Sequence, residues 1–170
     1  MTHHQIGQSQ CGDLGFIGWR RVVKAKPIEE VVAMLREKVS AKILVVDDDT
    51  DILKGLALRL ESNGFVVLQA MTAVSAIVLA RAEDPDVIVL DLGLPDLDGY
   101  TFMKQLKEFP ATAHIPVIVL TGRDPQGNQE RSYDIGAFDF FQKPVIDKWF
   151  LASIERALGA RLPTKIAGSP

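Results

Sequence analysis

Ile43-Leu44-Val45-Val46-Asp47-Asp48-Asp49 is a run of apolar residues that passes without a break into three acids. A short apolar run with no alternation suits a strand covered on both faces, as in a parallel sheet between helical layers. The same kind of strand recurs at Val87-Ile88-Val89-Leu90 and at Pro116-Val117-Ile118-Val119-Leu120. Phe65-Val66-Val67-Leu68 and the segment Phe138 to Phe141 complete a set of five.

Helical periods fill the gaps. Ile52, Leu53, Leu56, Ala57 and Leu60 recur at helical spacing, and Asn63-Gly64 ends that helix. Thr72 to Glu83 is a small-residue helix that stops before Asp84-Pro85, and Asp98 to Phe109 carries another through Phe102, Met103 and Leu106. Asp124-Pro125 offers an N-cap and a first-turn proline, followed by a weak helix whose substantial apolar anchors are Tyr133 and Ile135. The last helix spans Val145 to Leu158, with Ile146, Trp149, Phe150, Ile154 and Leu158 on one side. Strand and helix alternate throughout, which predicts an α/β fold: a doubly wound, five-stranded parallel sheet with right-handed crossovers.

This domain is expected over residues 42–160 of a 170-residue chain. Ahead of it, residues 1–41 read as a flexible arm plus one amphipathic helix over 28–39, where Ile28, Val31, Val32, Leu35 and Val39 share a face. Arg20, Arg21, Lys24 and Lys26 form a basic cluster beside Trp19, expected to be a solvated linker. Residues 161–170 are a tail too short to fold alone. Apolar residues make up 47% and charged residues 24%, which excludes a mostly disordered chain. No apolar run is long enough to span a membrane, and the N-terminus lacks the apolar stretch of a signal peptide. Cys11 is the single cysteine, so neither an internal disulfide nor a multi-cysteine zinc site can form, and a cytoplasmic location is expected. A net charge of −3 argues against direct nucleic-acid binding.

Ligands of such sheets sit beyond the carboxyl ends of the strands. Asp47, Asp48 and Asp49 follow the first strand, Asp91 the third, Thr121 the fourth, and Lys143-Pro144 the fifth. One acid at a strand end often only caps the next helix, a role that falls here to Asp49 or Thr50. Acids, a hydroxyl and an ammonium together on one rim point to chemistry. Crowded carboxylates repel unless a cation or a proton joins them, and Mg²⁺ suits a half-open, all-oxygen site. A metal, a hydroxyl and a lysine are also what the equatorial oxygens of a phosphoryl group need while a carboxylate attacks in line.

At these residues the chain resembles the receiver domain of two-component response regulators. The matching motifs are Ile43-Leu44-Val45-Val46-Asp47-Asp48, Asp91-Leu92-Gly93-Leu94-Pro95 with Asp98-Gly99, Leu120-Thr121-Gly122, and Gly136-Ala137-Phe138-Asp139-Phe140 leading to Lys143-Pro144. The resemblance implies a flavodoxin-like strand order 2-1-3-4-5. It implies Asp91 as phosphoacceptor and Mg²⁺ bound directly by Asp48, Asp91 and the Gly93 carbonyl, with Asp47 acting largely through water. Thr121 and Lys143 would contact the phosphoryl group, Phe140 would occupy the aromatic switch position, and Lys143-Pro144 would be cis. Such a domain is a phosphoacceptor that assists its own phosphorylation and dephosphorylation rather than an enzyme. It implies a histidine kinase or phosphotransfer protein as donor, an output partner or an output domain outside this chain, and compatibility with a homodimer. The fourth helix, fifth strand and last helix would form its signalling face. Gly93 and Gly122 depart from common family residues, and Phe140 lacks the hydroxyl of the commoner tyrosine. Arg123 would either fold over the phosphoryl group or remain a solvated loop side chain.

Two alternatives fit less well. Haloacid-dehalogenase-like phosphatases also form an aspartyl phosphate, but their DxDx(T/V) nucleophile motif would place Asp51 where Thr or Val belongs, and no late acidic pair follows Lys143. A degenerate receiver that only binds partners would lack an acid, the acceptor or the lysine, and all are present here.

Overall fold

The computed structural model describes residues 40–145 and 147–161. The expected arm and 28–39 helix, the basic cluster beside Trp19, Ile146 and the tail beyond Arg161 lie outside the described residues. The elements alternate as β1 (Lys42–Val46), α1 (Thr50–Ser62), β2 (Val66–Ala70), α2 (Ala73–Glu83), β3 (Val87–Leu90), α3 (Gly99–Glu108), β4 (Val117–Thr121), α4 (Pro125–Asp134), β5 (Asp139–Gln142) and α5 (Asp147–Arg161). The strands form one sheet in the order β2-β1-β3-β4-β5, and every pairing is parallel.

Residue parity in the strands sorts the core into two layers. Leu44, Val46, Ile88, Leu90, Val117 and Val119 face α2 and α3, where they meet Ala73, Ala76, Phe102, Met103 and Leu106. Ile43, Val45, Val87, Val89, Ile118 and Leu120 face α1 and α5, where they meet Leu53, Leu56, Leu60, Phe150 and Ile154. Burial of β1, β3 and β4 on both faces accounts for their unbroken apolar sequences.

The second strand begins one residue later than the apolar run suggests, because Phe65 belongs to the end of α1. Gly64 adopts a φ of 86° and donates its N–H to Glu61, while the Phe65 N–H reaches back to the Leu60 carbonyl at 3.2 Å. This pair of bonds is a Schellman cap, with Phe65 as the apolar residue that closes it. The strand then extends through Gln69 and Ala70, which pair with Val45 and Val46.

Two other expectations need correction. Trp149 does not share the buried side of α5: it is 62% exposed, while Phe150, Ile154 and Ala157 are buried. Adjacent helical residues point about 100° apart, so Trp149 and Phe150 cannot share one narrow stripe. In α4, Asp124 caps as expected, accepting from the Gln126 N–H at 2.9 Å, but Gly127 adopts a φ of 76° and breaks the first turn. Tyr133 is not an apolar anchor either. It is exposed and its hydroxyl bonds the Asp139 carboxylate at 3.1 Å, leaving Ser132 as the buried residue of α4.

Candidate functional site

The carboxyl ends of β1, β3, β4 and β5 meet at one rim. Asp91 enters it by continuing the β1–β3 ladder, donating its N–H to the Val46 carbonyl at 2.8 Å. Lys143 enters by donating its backbone N–H to the Thr121 carbonyl at 2.8 Å. The Lys143–Pro144 peptide bond is cis, as the resemblance implied. Thr121 closes β4 and is buried.

One carboxylate oxygen from each of Asp47, Asp48 and Asp91 can be chosen so that all lie within 4.8 Å of one another. Asp47 is buried, Asp91 half-buried and Asp48 exposed, so the cluster opens to solvent on the Asp48 side. Lys143 crosses it: its ammonium donates to Asp47 Oδ2 and, at 3.2 Å, to Asp91 Oδ2. Burial pushes the Asp47 carboxyl above its ordinary value, against the lowering contact of Lys143. Burial would lower Lys143, but its contacts with both aspartates outweigh that and hold the ammonium above the ordinary lysine value. The lysine is therefore charged at neutral pH.

Asp47 Oδ1 accepts the Asp49 N–H at 3.0 Å, which turns the chain into α1. Asp49 is the N-cap of that helix, accepting from Asp51 and Ile52, so it stands apart from the acidic cluster. Asp91 Oδ1 is buried and has no hydrogen-bond partner. A buried carboxylate oxygen without a donor is costly. Asp47, Asp48 and Asp91 together offer a hard, all-oxygen donor set, which suits a divalent cation such as Mg²⁺. The residues present therefore fit a metal.

The loop after Asp91 is held from two sides. On one side, Asp96 accepts the N–H groups of Ala73 and Val74 at 2.9 and 3.0 Å and so caps α2 from a distance. These N–H groups hold its carboxyl below the usual aspartate value. On the other side, Arg123 donates to the Leu92 carbonyl at 3.0 Å and to Asp98 at 3.3 Å. Arg123 is thus not a solvated loop side chain. Gly99 lies against this loop so closely that a Cβ would fall 2.7 Å from Leu92 Cα. Gly93 leaves the flank of Asp91 open, since a Cβ there would sit 3.4 Å from the Asp91 carboxylate. Phe140 is buried in the layer facing α2 and α3, on β5 beside Val119.

The structure thus brings Asp47, Asp48, Asp91, Thr121 and Lys143 to the rim, with Gly93 flanking Asp91 and Phe140 packed in the layer beneath. The contacts of Asp96, Arg123 and Asp98 escape sequence reasoning. They join residues more than twenty positions apart, and nothing local to the loop marks them.

A family model described as the response regulator receiver domain matches residues 43–155. Protein PilH of Pseudomonas aeruginosa is 36% identical over 118 residues, covering 69% of this chain and 98% of that protein. The response regulator PleD of Caulobacter vibrioides is 37% identical over 116 residues, 68% of this chain but only 26% of PleD. This chain thus spans about a quarter of PleD and nearly all of PilH. Among solved structures, a CheY-like response regulator receiver domain protein from Methanospirillum hungatei superposes with a TM-score of 0.67 and 28% identity, covering 72% of this chain and 97% of that one. The BeF3-activated DrrB receiver domain superposes with a TM-score of 0.62 and 32% identity, covering 71% and 99%.

Proposed function

The chain belongs to the response regulator receiver domain family of two-component signalling, and from that membership we propose that it accepts a phosphoryl group on Asp91. The observation that carries this is the state of Asp91: Oδ2 is held by Lys143, while Oδ1 is buried without a donor, in a residue whose carboxylate clusters with those of Asp47 and Asp48. An Asp91 oxygen attacks phosphorus in line and forms the new O–P bond. The bond to the donor breaks, and the leaving group departs with its electron pair. The product is an aspartyl phosphate.

Asp47, Asp48, Asp91 and the Gly93 carbonyl would hold Mg²⁺, which supplies charge neutralisation for the phosphoryl oxygens. Lys143, already charged, stabilises the same oxygens. The Thr121 hydroxyl accepts the Arg123 N–H at 3.3 Å, so its own proton stays available to a phosphoryl oxygen. Capture of that oxygen draws the β4–α4 loop inward and lets Phe140 repack, which shifts a pre-existing equilibrium of the α4–β5–α5 face. The chain is a phosphoacceptor that assists its own modification, not an enzyme with a separate substrate. Its donor is a histidine kinase or a phosphotransfer protein, and its output goes to a partner, a further domain or a second copy. Its location is the cytoplasm, and among the described residues no helix is long and apolar enough to cross a membrane.

Incubation with a small-molecule phosphodonor and Mg²⁺, followed by intact-mass measurement, tests this. The expected result is a mass gain of one phosphoryl group in the wild type, none in Asp91→Asn and none after chelation. An equal gain in Asp91→Asn rules the assignment out.

A further inference from the structure

Helix α2 is apolar on every side until its last turn. Ala73-Val74-Ser75-Ala76-Ile77-Val78-Leu79-Ala80 carries no charge, and Arg81 is the first charged residue. A helix of this composition is normally enclosed. Here Ala73, Ala76 and Ala80 are buried against the sheet, and Ile77 and Leu79 pack partly against the same layer. Val74 and Val78 are instead 66% and 61% exposed, and residues four apart stand one above the other on a single face. The sheet beside them is open as well. Helix α2 lies over β1 and β2, and β2 is an edge strand. Val66, in phase with Leu68 and Ala70 of that layer, is 44% exposed. The outward side of α1 is different, since Asp51, Lys54 and Glu61 already suit it to water.

The chain enters the domain at this face. The Val66 N–H donates to the Ala41 carbonyl at 2.9 Å, and the Lys42 ammonium donates to the Glu83 carbonyl at 3.0 Å and its carboxylate at 3.1 Å. Ala41 therefore sits where α2 ends and β2 begins. Just ahead of it in the sequence is the apolar stripe of Ile28, Val31, Val32, Leu35 and Val39. Ser40-Ala41 is the whole link to β1, a length ordinary for a helix-to-strand connection. A helix over 28–39 would be about 18 Å long, close to the roughly 16 Å of α2. We propose that residues 28–39 of the same chain form a helix that docks on the exposed face of α2 at the open β2 edge. Entering β1 through so short a link, it runs antiparallel to the strands and hence parallel to α2. Val39 then lies near the Glu83 end, Leu35 beside Val78 and Val31 beside Val74. One contact removes both apolar stripes from water. The short link also holds the segment beside α2 at high effective concentration, which favours it over a second copy.

Two measurements on the full chain test this. The first is cross-linking with a short bismaleimide in a Cys11→Ser background, read by intact mass. Leu35→Cys/Val78→Cys should give a linker joining both thiols within one monomer, whereas Leu35→Cys/Leu58→Cys, with its second thiol on α1, should not. The second is hydrogen exchange. Val74 and Val78 are exposed in the domain itself, so Val74→Glu/Val78→Glu leaves the core packing intact. In that variant the amides of 32–39 should exchange at least about tenfold faster than in wild type, because each apolar side chain left in water forfeits its burial, while β1 and β3 keep wild-type rates. Equal linkage to the Leu58 position, no linkage at Val78, or 32–39 amides that exchange alike in wild type and variant would each overturn the proposal. A link formed only between chains would overturn it too, and would give this face to a second copy.

Discussion

The Tyr100 hydroxyl donates to Asn128 Oδ1 at 2.7 Å and so ties α3 to the first intact turn of α4. Arg131 lies over the same ring, 3.9 Å from its centroid, and the Ser132 hydroxyl bonds the Asn128 carbonyl at 2.7 Å. Helix α4 is thus held mainly by polar contacts. Tyr100→Phe keeps the buried ring and the stacked arginine but removes the bond to Asn128. The expected cost is about 1 kcal/mol. Hydrogen exchange over 128–135 should accelerate while α3 keeps its protection. Unchanged exchange there would show that α4 is anchored elsewhere.

Lys143 is the cation that compensates Asp47 and Asp91 in the unmodified chain. Lys143→Met leaves two carboxylates together without it. Removing one partner from a buried pair costs about 3–5 kcal/mol, and the partial exposure of this site brings the expected loss nearer 2 kcal/mol. Millimolar Mg²⁺ should recover part of it, so the rise in melting temperature on adding Mg²⁺ should be larger in Lys143→Met than in wild type. Equal rises would contradict the shared site.

Asp96 carries a pH dependence whose sign follows from its contacts. The N–H groups of Ala73 and Val74 hold its carboxyl below the ordinary 3.8. A folded-state value below the unfolded one stabilises the fold above pH 3.8, and that contribution disappears as pH falls through the depressed value. Asp96→Asn should therefore narrow the gap between urea midpoints measured near neutrality and in acid. A gap as wide as that of wild type would remove Asp96 from acid unfolding.

Two glycines should respond to alanine with opposite signs. At Gly99 a Cβ would press on the Leu92 backbone at 2.7 Å, and overpacking of this kind costs about 1–3 kcal/mol. At Gly55, in the middle of α1, a Cβ would meet nothing within 4 Å. Gly55→Ala should stabilise by about 1 kcal/mol through helix propensity. Urea denaturation of both variants checks the pair, and a stable Gly99→Ala would mean that the Leu92 loop yields freely.

The parallel sheet is legible in the sequence because β1, β3 and β4 are buried on both faces and show it as unbroken apolar runs, while its strand order follows only from the resemblance to receiver domains. The rim residues were legible because each immediately follows a strand. Strand β2 was read one residue early, since an apolar Phe65 looks alike as the start of a strand or as the apolar closure of a Schellman cap. Trp149 and Tyr133 were misplaced for a related reason. An aromatic at helical spacing can serve as core, or its outward tip can meet a partner such as Asp139. Arg123 lay beyond reach altogether, because its role depends on where Leu92 and Asp98 arrive in space.

Asp91 Oδ1, buried and without a donor, would couple the stability of the domain to any cation bound at the rim. A cation that binds the native rim and not the unfolded chain adds stability by mass action, about 1.4 kcal/mol for each tenfold rise in concentration above its dissociation constant. Under the proposed function, folded population and readiness for phosphoryl transfer would then both rise with the free divalent cation. A fall in that concentration would thin the pool of native protein at the same time as it silences the chemistry.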